Sequence, residues 1–104
     1  MTPEIEVSYR PESKRYVAKV AGSDAEAFID VMPGETAWVF SHVEVAPALE
    51  GKRVASRMVQ AALADIRSQG LAIMPLCPYV LAYLRRHPEE TDVVHPRFKN
   101  MVGG

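Results

Sequence analysis

The sequence has a single cysteine, little charge imbalance and no long uninterrupted apolar run. Cys77 is the one cysteine among 104 residues, which excludes an internal disulfide and a metal site built on paired cysteines. The formal net charge is only -1, so bulk electrostatic capture of nucleic acid or of an anionic membrane is not indicated. The sequence therefore predicts no nucleic-acid partner, no membrane partner, no bound metal and a fold stabilised by packing.

Sequence signals for membrane insertion and secretion are also missing. The longest stretch without charge, residues 70–84, is interrupted by Pro75 and Pro78 and is too short to cross a bilayer as a helix. The first ten residues contain Glu4 and Glu6 where a secretory signal would have an apolar segment. We therefore expect a cytoplasmic location.

The composition is that of one folded domain. Hydrophobic residues make up 48% of the chain and charged residues 24%, and a chain of this length builds one hydrophobic core. We predict a single domain over residues 1–94. Residues 95–104 show neither periodicity nor a motif, so we expect a C-terminal tail that is mobile or packs on a neighbour.

Four strand-like runs come first, at residues 5–9, 15–20, 25–31 and 36–45. The first alternates Ile5, Val7 and Tyr9 with polar residues, which is typical of a half-buried strand. The fourth run, TAWVFSHVEV, is apolar at both odd and even positions. That pattern predicts a strand covered on both faces at the centre of the sheet.

A helix, a fifth strand and a shorter helix follow. Apolar residues recur at three- and four-residue spacing between residues 52 and 69, and Gly70 stands where a left-handed residue would end such a helix. Residues 71–76 are apolar and of strand length, while Pro78 suits the first position of a helix over residues 79–87. The predicted fold class is mixed α/β, with antiparallel N-terminal strands, a βαβ unit and a short C-terminal helix.

Positive charge collects at the start of the long helix. Lys52, Arg53 and Arg57 lie where the helix dipole already presents partial positive charge. A bound phosphate or pyrophosphate would explain them, since Gly51 allows close approach and the first backbone N–H groups lack partners. The alternative is that these long side chains extend into solvent.

Cys77 lies in the segment Pro75-Leu76-Cys77-Pro78, which makes it the predicted N-cap of the second helix. Unpaired N–H groups and the positive end of the dipole favour a thiolate there, so Cys77 could be a nucleophile. The alternative is a small buried apolar side chain, because cysteine is among the most buried residue types.

His42 and Glu44 are two apart on the fourth strand and so share one face of the sheet. Together they could deprotonate an amine, or they could form a hydrogen-bonded pair that fixes strand register.

Three basic residues, Arg85, Arg86 and His87, close the second helix, where cations complement the dipole. We expect capping and surface charge from them, with a phosphate contact by Arg85 or Arg86 as the alternative. Tyr79 and Tyr83, four apart, are predicted to pack.

Residues 42–89 resemble the small stand-alone acetyltransferase-like proteins of the GNAT superfamily. The motifs that carry the resemblance are H-V-E-V at 42–45, the E-G-K-R-V-A turn at 50–55, P-L-C-P-Y-V at 75–80 and R-R-H-P-E at 85–89. The resemblance implies the GNAT acyl-CoA N-acyltransferase fold and an N-acetyltransferase that takes acetyl from acetyl-CoA.

The resemblance also implies a set of site residues. Coenzyme A would lie between strands four and five, with its pantetheine arm on the backbone of Val43 and Val45 and its pyrophosphate on the following turn and helix start. The implied cofactor-binding residues are Val43, Val45, Glu50, Gly51, Lys52, Arg53, Val54, Ala55 and Ser56. Arg85 and Arg86 are added to them as the candidates for a phosphate contact. The implied catalytic residues are Glu44 at the acetyl end and Cys77, the latter acting through a covalent step or through assistance to direct transfer. His42 joins them as the predicted partner of Glu44 in deprotonating the amine.

The acceptor is expected to be an amine on a protein, a polyamine or a small metabolite. A non-enzymatic GNAT-fold module that binds coenzyme A or a protein partner is the alternative function.

Two residues depart from the family pattern. Arg53 replaces a glycine that lets the backbone wrap the pyrophosphate, so its side chain either crowds the turn or supplies a charged phosphate contact. Val43 replaces the usual threonine and leaves the strand backbone intact.

Overall fold

The computed structural model describes residues 4–103. Its strands are β1 (Ile5–Arg10), β2 (Arg15–Val20), β3 (Glu26–Met32), β4 (Trp38–Val45) and β5 (Ile73–Pro75). Its α-helices are α1 (Val54–Ser68) and α2 (Pro78–Arg86), and short 3-10 helices span Pro47–Leu49, Pro88–Val93 and Pro96–Val102. The predicted order of strands and helices is confirmed.

The strands form one mixed sheet in the order β1-β2-β3-β4-β5. The first four are joined as antiparallel neighbours, whereas β5 pairs in parallel with β4. Since α1 connects two parallel neighbours, the predicted βαβ unit is confirmed. Because β3 is the central strand, the prediction that the fourth strand lies at the sheet centre is wrong.

Helix α1 packs its apolar stripe on one face of the sheet. Val54, Met58, Val59, Ala62, Leu63 and Ile66 are all buried on it, and the sheet contributes Ala18, Ala27, Ile29 and Phe40 to the same core. Gly70 ends the helix with φ +70, and Leu71 N donates to Ile66 O while Gly70 N donates to Arg67 O. This is the glycine-terminated helix end that the sequence predicts.

A bulge at Ser41 explains the apolar pattern of β4. Val31 pairs with Phe40 but Asp30 pairs with His42, so Ser41 is one extra residue, and its Oγ donates to the Asp30 carbonyl. The extra residue shifts the alternation, which turns Phe40 and then Val43 towards the core. The prediction that both faces of this strand are covered is therefore wrong. The side chains that face the core are at even-numbered positions before the bulge and at odd-numbered positions after it.

The opposite face of the sheet carries mostly polar side chains, and we call it the open face. Strand pairing places Arg15, Lys19, Glu26, Asp30, His42 and Glu44 on it. Arg15 binds Asp30 at 2.6 Å and also stacks over the Phe28 ring at 3.8 Å. Paired charges thus cover the apolar residues of this face.

The C-terminal residues pack on their own chain, contrary to the expectation of a mobile tail or one that packs on a neighbour. Val102 is buried, His95 N donates to the Ile73 carbonyl, and Arg85 donates to the Met101 carbonyl at 3.1 Å. Isolated apolar residues in a short 3-10 helix produce no periodicity for a sequence pattern to reveal. The boundary at residue 94 stays a prediction.

Within residues 4–103, no helix is long and apolar enough to cross a membrane.

One buried hydroxyl joins the sheet to α1. Tyr16 is 1% exposed, and its hydroxyl donates to Asp65 Oδ2 at 2.6 Å. Gln69 also donates to this carboxylate oxygen. Burial, followed by the hydrogen bond to Asp65, raises the pKa of Tyr16, so the hydroxyl remains a donor throughout the neutral range.

We expect Tyr16→Phe to lower the free energy of unfolding by about 1–2 kcal/mol, because the buried Asp65 contact is lost while the ring still packs. Urea denaturation measures the change. Tyr9→Phe is the control, because the Tyr9 hydroxyl donates no hydrogen bond to another described residue. Its effect on the free energy of unfolding should stay below about 0.5 kcal/mol. Equal losses in the two variants would contradict this account.

Candidate functional site

The site begins where β4 and β5 separate. Their pairing runs from Trp38 opposite Ile73 to Phe40 opposite Pro75 and stops there. The Phe40 carbonyl then accepts from both Leu76 N at 3.0 Å and Cys77 N at 2.9 Å. Past this carbonyl the chain after β5 turns into α2, whereas β4 continues to Val45 beside β3 alone.

The gap is lined on one side by the backbone of β4. Glu44 pairs with Phe28 and His42 with Asp30, and Ala46 N donates to the Glu26 carbonyl. Backbone groups alternate in direction along an antiparallel ladder, so those of Val43 and Val45 face away from β3. An extended chain that carries amides could pair with them as an added strand.

At one end of the gap lies the N-terminus of α1. Gly51 and Arg53 both have positive φ, 80 and 59, so the chain turns sharply before the helix. The helix therefore begins at Val54 and not at the predicted residue 52, which places Lys52 and Arg53 in the turn itself. No acidic residue occupies the first turn and Arg53 makes no side-chain cap, so the unpaired N–H groups and the positive dipole end are available to an anion.

A cavity of about 190 Å³ joins these parts. It is lined by Val45, Leu49, Glu50, Gly51, Arg53, Val54, Ala55, Ser56 and Tyr79. A larger depression of about 620 Å³ lies elsewhere, along β1 and β2, and Arg57, predicted to lie at the anion site, lines that depression instead. None of the first three residues of α1 lines it, so the smaller cavity is the better candidate for an anion.

Most of the predicted pyrophosphate-binding residues line this cavity together. Lys52 is exposed beside it. Leu49 and Tyr79 were not among the predicted site residues, and Tyr79, predicted only to pack, lines the cavity from α2. Its position directly after Cys77 and Pro78, at the start of a helix, is the signal that could have identified it.

The family model for a GCN5-related N-acetyl-transferase matches residues 15–93. The chain belongs to this family. The match covers all the elements around the gap and confirms the predicted superfamily, and the five-stranded mixed sheet agrees with the predicted GNAT acyl-CoA N-acyltransferase fold. A search of curated proteins finds no match.

In this member of the family, His42 and Glu44 project from β4 onto the open face. His42 Nε2 lies 3.4 Å from Glu44 Oε1, and the two side chains are 55% and 62% exposed. Their side chains leave the strand on the face opposite to those of Val43 and Val45. The pair lies within a single strand, so its hydrogen bond does not join two strands and does not fix their register.

Cys77 is the N-cap of α2, as the sequence predicts, but its thiol makes no cap bond. The residue is 3% exposed and belongs to the hydrophobic core. This burial matches the alternative of a small apolar side chain. A catalytic role for Cys77 stays a prediction.

Arg85 and Arg86 lie at the other end of α2. The helix has nine residues, which separates these cations from its N-terminus by about 12 Å along the axis. The contact of Arg85 with the Met101 carbonyl ties it to the C-terminal 3-10 helix. A role for either residue in cofactor binding stays a prediction.

The segment after α2 is held to α1 by charged contacts. Arg67 binds Asp92 at 2.8 Å and Glu90 at 3.4 Å, and the buried Tyr83 donates its hydroxyl to Glu90. The hydrogen bond from Arg67 holds the pKa of Asp92 below its usual range. The Glu90 carboxylate that follows the R-R-H-P-E motif therefore connects α2 to the end of α1.

The positive φ of Arg53 allows its backbone strain to be separated from its charge. We expect Arg53→Gly to raise the free energy of unfolding by about 0.5–1 kcal/mol, since glycine adopts this conformation without a Cβ penalty. Arg53→Ala removes the guanidinium but keeps the Cβ, so it should bring no gain. Thermal and urea denaturation of both variants measure the difference.

Lys52→Gly is the matched control, because the φ of Lys52 is not positive. Glycine there should lower the free energy of unfolding by about 0.5–1 kcal/mol. Destabilisation of equal size by glycine at 52 and at 53 would show that the turn is not strained at Arg53.

Proposed function

We propose that this chain binds acetyl-CoA in the gap between β4 and β5 and transfers the acetyl group directly to a primary amine that reaches it from the open face. The observation that carries the proposal is the continuity of the gap. The backbone of Val43 and Val45 faces away from β3 and leads along β4 to the cavity, which Val45 lines together with the uncapped N-terminus of α1.

The residues around α1 fit a pyrophosphate. The N–H groups of the first turn, at Val54, Ala55 and Ser56, lack intrahelical partners, and Lys52 and Arg53 add charge beside them. Arg53 lines the cavity, which favours a charge-assisted phosphate contact over loss of the site. Glu50 also lines the cavity, and its carboxylate would repel phosphate, so we assign its contribution to the backbone.

The residues along β4 fit the pantetheine arm. Its amides would pair with the backbone of Val43 and Val45 and extend the sheet where β5 is absent. This contact uses no side-chain hydroxyl, so the replacement of the usual threonine by Val43 leaves it intact. Tyr79 would pack against the arm from α2.

His42 and Glu44 lie on the open face, from which the acceptor amine would approach. Acetyl-CoA supplies an activated acetyl group: the amine nitrogen bonds to the acetyl carbon, the carbon–sulfur bond breaks and the sulfur leaves as a thiolate. Glu44, hydrogen-bonded to His42, accepts the proton that the amine loses. The positive end of the α2 dipole lies next to the gap and favours the negative charge that develops there.

The burial of Cys77 favours direct transfer of the acetyl group over a covalent step through its thiol. An acetyl-cysteine intermediate would require the thiol to meet the thioester carbon and then the amine. The side chain is covered by the core, so we assign Cys77 to packing at the start of α2. The motifs P-L-C-P-Y-V and R-R-H-P-E support placement of the chain in a small stand-alone subgroup of the family.

Binding is tested by calorimetric titration with acetyl-CoA and with coenzyme A. We expect Ser56→Asp to weaken binding at least tenfold, because a carboxylate in the first turn repels the pyrophosphate. The same change suits the helix dipole, so the thermal stability should not fall. Gln60→Glu adds equal charge one turn further along α1, outside the cavity, and should leave the affinity nearly unchanged. Equal weakening by both variants, or no binding by the natural chain, would overturn the cofactor site.

Turnover is tested by release of the coenzyme A thiol in the presence of lysine peptides, polyamines and small primary amines. We expect Glu44→Gln to lower kcat about a hundredfold through loss of the proton acceptor. We expect Cys77→Ser to keep kcat within about threefold, as direct transfer requires, whereas a covalent mechanism predicts loss of activity. Tight binding of coenzyme A without thiol release for any amine would instead support the non-enzymatic module.

A further inference from the structure

Strand β1 forms a free edge of the sheet. It pairs with β2 alone, and Ala21 N donates to the Glu4 carbonyl at 2.9 Å. Hydrogen bonds to β2 alternate from that pair onwards, so they fall at Glu6, Ser8 and Arg10. The backbone groups of Ile5, Val7 and Tyr9 therefore point away from the sheet.

The pairing of β2 with β3 leads independently to the same assignment of outward-facing backbone groups on β1. Val31 N donates to the Lys14 carbonyl at 3.0 Å, so Lys14 and every second residue after it bond to β3. The residues between them, opposite Glu6, Ser8 and Arg10, bond to β1. Two separate hydrogen bonds thus identify the same outward-facing backbone groups on β1.

Little on β1 prevents another strand from joining it. The strand contains no proline and keeps three apolar side chains, Ile5, Val7 and Tyr9, half-buried on the α1 side. Depressions of about 620 and 450 Å³ lie along this edge. The second is bounded on α1 by Arg57 and Gln60 at one end and by the small residues Ala61 and Ala64. The two alanines leave room beside the edge for an incoming strand.

The edge is complementary to itself. When two copies of β1 run antiparallel with Val7 opposite Val7, Ile5 lies opposite Tyr9 and Glu4 lies opposite Arg10. The outward-facing residues then meet one another, which gives three hydrogen-bonded pairs and about six backbone hydrogen bonds. Apolar side chains meet on the α1 side, and opposite charges meet on the open face.

We propose that a second copy of this chain pairs with β1 in this register, so that two five-stranded sheets join into one continuous sheet across a two-fold axis. The β1 edge lies at the opposite end of the strand order from β4 and β5. The dimer therefore leaves the candidate site of each copy open. Arg10 already contacts Glu26 at 3.4 Å, and in the dimer its guanidinium would lie between Glu26 and the second copy's Glu4.

Light scattering after size exclusion, over a hundredfold range of concentration, measures the assembly. We expect the natural chain to be a dimer at the upper end. Val7→Pro removes an N–H that points away from β2, so β1 keeps its ladder while the centre of the interface is lost. We expect this variant to be a monomer with an unchanged circular dichroism spectrum.

Charge variants test the register even if the proline variant fails to fold. Glu4→Arg places like charges opposite each other, and we expect dimerisation to weaken at least tenfold. The double variant Glu4→Arg with Arg10→Glu restores the opposite charges, so its dimerisation should return to within about threefold of the natural chain. Thermal melts of each variant monitor the fold, including the altered contact with Glu26.

Two results would overturn the proposal. One is a monomer at every concentration. The other is a dimer whose stability does not respond to Glu4→Arg or to the double variant, since that dimer would use another surface.

Discussion

The gap beside β4 depends on the Phe40 carbonyl. By accepting hydrogen bonds from both Leu76 and Cys77, it ends the parallel pairing and directs the chain into α2 at the same point. A fourth or fifth β4–β5 pair would close the gap, and the strand backbone beyond Phe40 would then be paired within the protein. The separation of the two strands is therefore what leaves the backbone groups of Val43 and Val45 unpaired beside an interior strand of the sheet.

The bulge at Ser41 acts at the same place along β4. It lets Phe40 pack in the core and lets Val43 and Val45 do so again after the extra residue. The following even-numbered residues, His42 and Glu44, then face the open side. One inserted residue thus places the apolar side chains of β4 on the core side both before and after the bulge, and its two ionisable side chains on the open face.

Much of this fold could be predicted from the sequence. The alternation of Ile5, Val7 and Tyr9 and the helical spacing that ends at Gly70 are local patterns, and they place β1 and α1 correctly. The sequence of β4 could not distinguish a strand covered on both faces from a strand with a bulge. Both structures have apolar residues at odd and at even positions. The helix start was misplaced because Arg53 adopts a conformation for which glycine is the usual residue. Tyr79 was missed because its role depends on how α2 approaches α1.

The distribution of local and distant pairings has a consequence for folding order. Strands β1 to β4 join through short turns, so their contacts form with little loss of chain entropy. The β4–β5 contact has only three residue pairs, and it must wait until α1 docks and brings together segments far apart in the sequence. The gap is thus expected to be among the last parts to assemble and among the first to open by local unfolding. A ligand that bridges β4 and α1 would slow amide hydrogen exchange in β5 and α2 most, even at residues that it does not touch.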